Sequence, residues 1–178
     1  MTLYGEEPPI ARDGVKIPAE SNMYECAIDQ TWERFGAHLD GARPSVCCAV
    51  GSRPPAQAVR SALDGSLRAL GYGQDACAFA AIAPRAEGEG ADAATLDAQT
   101  LFALVEGLDP LCLIVCDRDA AGAVADAYRL PIPFERPQHV FGRPCVAFES
   151  LEALLETPAG KQRAWAALKQ LPRFGERR

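Results

Sequence analysis

Four short stretches of this 178-residue chain carry side chains that could do chemistry. The first is Gly51-Ser52-Arg53-Pro54-Pro55, a loop between an apolar run and an amphipathic segment. A guanidinium in such a loop, where a helix begins, suits an anion such as a phosphate, so Gly51, Arg53 and Pro54 are candidate ligand contacts. The competing reading of Arg53 is a solvated loop arginine. The second is Asp117-Arg118-Asp119, directly after the apolar run Leu111–Cys116. Asp117 is either a ligand contact or the N-cap of the following helix. The third is Glu149-Ser150-Leu151-Glu152. Its two carboxylates could form an acid/base pair, or simply be acids favoured in a first helical turn. The fourth is Cys116, at a strand end before a helix N-terminus. A thiolate is favoured in such a place, though apolar packing also explains it. Ser52, Ser150 and Glu152 are the candidates for catalysis.

These stretches must be positioned by alternating strands and helices. Ser45–Val50, Ala76–Ile82, Leu111–Cys116 and Pro144–Phe148 are short apolar runs that read as strands covered on both faces. Glu25 to Leu39 reads as a helix with Cys26, Trp32, Phe35 and Leu39 on one face and His38 on the exposed side. Val59, Leu63, Leu67 and Leu70 line a second helix, closed by Gly71-Tyr72-Gly73. Leu101, Leu104, Val105 and Leu108 line a third. Asp117 opens a helix over Arg118–Tyr128. Leu151–Leu155 is a short helix, and Thr157-Pro158 opens the last one. Leu130–Phe141, with three prolines, reads as irregular. Residues 1–22 read as an irregular extension over the surface, and Arg173–Arg178 as a solvated basic tail. Strand-helix alternation implies one α/β domain over residues 1–178. Its expected form is three α/β/α layers around a mainly parallel, four-stranded sheet.

A hydrophobic content of 48% fits a soluble globular chain of this length. The net charge of -6 argues against broad nonspecific nucleic-acid binding, though not against a local basic site. Seven cysteines sit mostly in apolar runs, without a C-x-x-C pair, and there are two histidines. Reduced thiols in the cytoplasm, with no metal, metal cluster or other cofactor, are the expectation. No secretory leader or membrane span is evident.

Three segments in order resemble the uracil-DNA glycosylase superfamily, especially its thermophile-type members. Leu154-Leu155-Glu156-Thr157-Pro158, continuing through Lys161 and Trp165 to Leu168, is similar to the family's closing motif. Asp109-Pro110 and the run Leu111–Cys116, with the alanine-rich helix after it, resemble a second. Val50-Gly51-Ser52-Arg53-Pro54-Pro55 is similar to the first motif, Val-Gly-Glu-Ala-Pro-Gly. The resemblance implies a DNA-repair fold with its site at the Gly51 loop. Base excision needs a pocket that reads and stacks a flipped base and stabilises the departing anion. Counted back from Leu154-Leu155, the family's His-Pro-Ser falls on Ser150, Leu151 and Glu152, so the histidine is missing. Ser52 and Arg53 stand in place of the acidic and small residues. No aromatic residue lies between Gly51 and Gly65, and no asparagine in Ala76–Ile82. The expectation is a degenerate member that does not excise uracil conventionally and binds a nucleotide, nucleic acid or protein partner. The alternative is a glycosylase or other hydrolase acting on a damaged base with an altered residue set around Ser52, Arg53, Ser150 and Glu152.

Overall fold

The computed structural model describes residues 23–88 and 92–174. The apolar runs form the parallel centre of one sheet: β2 (Cys47–Gly51), β3 (Cys77–Ala81), β4 (Cys112–Val115) and β6 (Arg143–Ala147). β2, β3 and β4 are buried along their whole length, as expected of strands covered on both faces. Two further strands were not anticipated. β1 (Leu39–Gly41) and β5 (Gln138–Val140) add antiparallel edges, giving six strands in the order β1-β3-β2-β4-β6-β5.

Each extra strand has a local cause. The first helix, α1 (Met23–Arg34), stops short of Leu39. Leu39 sits four residues after Phe35, so its spacing imitates a helical position although its backbone is extended. The Cys26 side chain lies outside the described residues. β5 hides among prolines. It is an edge strand, the one sheet position proline tolerates nearby, and it turns into β6 through Phe141-Gly142, both at positive φ (48° and 80°).

Helices flank the sheet on both faces. On one, α1, α3 (Ala98–Leu108) and α4 (Arg118–Tyr128) pack Phe35, Leu101, Leu104, Val105 and Val124 against Cys48, Val50 and Val115. On the other, α2 (Gln57–Ala69), α5 (Leu151–Leu154) and α6 (Pro158–Leu168) pack Leu63, Leu67, Leu151 and Leu168 against Cys47, Ala49 and Ile114. The period-two alternation along β2 therefore divides its side chains between two apolar layers. Trp32 packs on the first layer, as its helical position predicts. Among the described residues, no helix is long and apolar enough to cross a membrane.

The expected basic tail is partly structured. Phe174 donates its N–H to Leu70 O at 3.0 Å, and its ring meets Tyr72 edge-on at 4.7 Å between centroids. Gly71 allows this: a Cβ there would lie 1.7 Å from Phe174 O, and its φ is +88°. Residues 1–22 and 175–178 lie outside the described part.

Candidate functional site

β2 and β4 are central neighbours whose following chains diverge, β2 into α2 on one face and β4 into α4 on the other. Crevices in open α/β sheets form at such divergences, beyond the carboxyl ends of the strands. A cavity of about 460 Å³ lies there, lined by Gly51 to Ala56, Phe79, Cys116, Asp117, Ser150 and Glu152 among others. Every candidate contact from the sequence borders this one cavity: Gly51, Ser52, Arg53, Pro54, Asp117, Ser150 and Glu152. Glu149 is turned away and pairs with Arg118.

Asp117 ties the site together. Its Oδ1 accepts the Ala120 N–H at 2.9 Å, capping α4, and its Oδ2 accepts the Ser52 N–H at 2.8 Å. One carboxylate thus anchors a helix start and the loop across the cavity. Both oxygens accept backbone donors, which is a positioning role rather than a free anion-binding one. Backbone bonds extend the frame. Ile82 N–H donates to Gly51 O at 2.9 Å and Ala83 N–H to Ser52 O at 3.0 Å. Leu151 N–H donates to Cys116 O at 2.9 Å, which holds Ser150 beside Asp117. A Cβ on Gly51 would meet Arg53 O at 3.0 Å, so a larger residue would push the turn open.

The polar side chains differ in what they have left to offer. Ser150 Oγ accepts the Ala153 N–H at 3.2 Å as the cap of α5. Glu152 is exposed. Among the described residues no hydrogen bond joins Ser52, Ser150 and Glu152, so no acid/base relay is assembled. Burial, then the charge of Asp117, pushes the Cys116 thiol up to about 12, so apolar packing describes Cys116 and the thiolate reading falls. Arg53 is exposed and has no ion-pair partner among the described residues.

The start of α2 is unlike those of α3, α4, α5 and α6. Asp97, Asp117, Ser150 and Thr157 each cap a helix with a side-chain oxygen. Ala56 precedes α2 and supplies none, and it lines the cavity. The first-turn N–H groups of α2 therefore carry unneutralised positive dipole beside Arg53.

Two site neighbours were not anticipated. Phe79 of β3, 5% exposed, lines the cavity, with the Arg60 guanidinium 4.8 Å from its ring centroid. It is the one aromatic side chain in an alanine-rich strand, and that contrast was its signal. His38 was expected on a solvated helix face. It is buried, because the chain has already left α1, and its Nδ1 lies 2.8 Å from Ala81 O. With Pro54, Pro55 and Arg85 it walls a small pocket next to the cavity. Among the described residues, no group of three or more His, Cys, Asp or Glu side chains could hold a metal ion.

Set against family models and against curated proteins, the chain matches none.

Proposed function

We propose that this chain is a non-excising, uracil-DNA-glycosylase-like α/β protein that binds a small phosphate-bearing ligand, such as a nucleotide, in the strand-end cavity. The observation that carries the reading is the pairing of Arg53, which has no ion-pair partner among the described residues, with an N-terminus of α2 that no side chain caps, on one cavity wall. Both features favour an anion at the same place. Phe79 gives the cavity an aromatic wall, which suits a nucleobase better than an inorganic ion. The acids nearby, Asp117 and Glu152, leave no continuous basic track, so a small ligand fits better than a duplex. The missing histidine and the absence of a relay among Ser52, Ser150 and Glu152 support loss of excision. A reducing, cytoplasmic setting belongs to the same reading, supported by the six described cysteines being free.

A second reading keeps catalysis, because Ser52, Ser150 and Glu152 share the cavity wall. In it, an altered glycosylase acts on a damaged base. Calorimetric titration with nucleoside 5′-monophosphates and with inorganic phosphate, beside a gel assay on duplexes carrying uracil, hypoxanthine or xanthine, separates the two. Saturable nucleotide binding that is lost in Arg53→Ala, without strand cleavage, supports the first. Robust cleavage that is lost in Ser150→Ala or Glu152→Ala supports the second.

A further inference from the structure

The opposite ends of β2 and β4 hold a second chemical grouping. Cys47 and Cys112 are register partners on these neighbouring parallel strands, and both face the layer packed by α2 and α6. Adjacent strands lie about 4.8 Å apart, within the Cα span that a disulfide bridges. The two sulfurs are 2.7 Å apart, with no other group between them. Cys77 is also paired with Cys47 in register, but its sulfur turns to Ala78 O at 3.4 Å. Cys48 and Cys145 face the other layer. Cys47 therefore has a single cysteine neighbour positioned to bond with it.

The pair is closed off from water, at 0% and 1% exposure. Part of its cover is thin. Tyr72 is half-buried, and its hydroxyl sits beside the Cys112 sulfur and donates to Pro172 O at 2.6 Å. Its ring is backed by Phe174, itself 42% exposed. The hydrogen bond that joins the two sulfurs lowers the pKa of Cys112 and, with burial, raises that of Cys47. Cys112 is thus the sulfur more readily ionised once water reaches it.

We propose that Cys47 and Cys112 are an oxidation-sensitive dithiol, which closes to an intramolecular disulfide when the Tyr72–Phe174 cover opens. The oxidant is hydrogen peroxide. The Cys112 thiolate attacks one peroxide oxygen, the O–O bond breaks, and hydroxide leaves, giving a sulfenic acid. The Cys47 sulfur then attacks the Cys112 sulfur. The S–S bond forms, the S–O bond breaks, and the hydroxyl departs with the Cys47 proton as water. Each sulfur loses one electron, and the peroxide takes up both. The bond would staple β2 to β4 beneath the loops that carry the cavity, and it does not depend on what the cavity binds.

The test uses the full chain, reduced and then exposed to hydrogen peroxide without denaturant. The sample is acid-quenched, unfolded, alkylated and weighed, and its linked peptides are sequenced. Two fewer alkylations than the seven of the reduced chain are expected, with Cys47 joined to Cys112. The link should persist in Cys48→Ala and vanish in Cys112→Ala, with folding confirmed by circular dichroism. Phe174→Ala should speed closure at least threefold. Seven alkylations after peroxide, or a link through any other cysteine, would overturn the dithiol. An unchanged rate in Phe174→Ala would overturn the cover.

Discussion

The two ends of β2 and β4 share backbones and register, yet they do opposite things. At the carboxyl ends the following helices leave to different faces, and the gap between them becomes an open cavity of about 460 Å³ with the exposed Arg53 on its wall. At the amino ends nothing diverges. The side chains of Cys47 and Cys112 touch, Tyr72 lies beside Cys112, and Phe174 backs Tyr72. One pair of parallel strands thus offers water a polar opening at one end and an apolar, sulfur-filled plug at the other. The difference follows from where the chain goes after each strand, not from the strands themselves. It also explains why the polar loop is held by borrowed bonds, chiefly those of Asp117, while the plug is held by packing.

The largest break in this comparison is Asp117→Ala. It removes the α4 cap and strands the Ser52 N–H, which together should cost about 2–3 kcal/mol in urea unfolding. The substitution should also loosen the cavity loop without touching the cysteine pair. At the other end, Gly71→Ala combines left-handed strain with displacement of Phe174, and should cost about 2 kcal/mol. Gly73→Ala is its internal control. Gly73 has nearly the same φ, +87°, but open space around it, so it should cost about 1 kcal/mol. The gap between the two variants measures tail docking. Equal costs would mean that Phe174 contributes nothing to closing the plug.

Acid should also act at a third place. The Arg143 guanidinium holds the Glu106 carboxyl below the ordinary glutamate range, with bonds of 2.5 Å and 3.0 Å at the sheet edge. A lowered native pKa adds stability that is present above the unfolded value of about 4.3 and is lost as pH falls through the native one. Glu106→Gln should therefore flatten the stability curve below about pH 4.3 and leave ligand binding at neutral pH unchanged. Its effect at neutral pH should be at most about 1 kcal/mol, because the carboxyl is partly solvated.

Local signals made much of this legible from the sequence. Asp117 marks the start of α4, and Thr157-Pro158 that of α6, because capping depends on neighbours a few residues away. The four parallel strands were visible as apolar runs. What stayed hidden was non-local. β1 and β5 are three residues each, too short for alternation to show, and exist because an edge offered a partner. Phe79 joins the cavity, and Cys47 meets Cys112, only through parallel register, which no stretch of either strand records. His38 was misplaced because α1 ends at Arg34, so helical spacing no longer governs which way its ring points.

In the proposed function the cavity captures a phosphate-bearing small molecule and excises no base. Calorimetric titration of nucleoside 5′-monophosphates into the wild type and Arg53→Ala tests it most directly. Arg53 makes no ion pair within the described chain, so its removal should shift stability by less than about 0.5 kcal/mol. Saturable binding by the wild type is expected, with at least a tenfold loss in the variant, whose melting curve stays unchanged. Binding that is equal in the two proteins, or absent from the wild type across the panel, would contradict it.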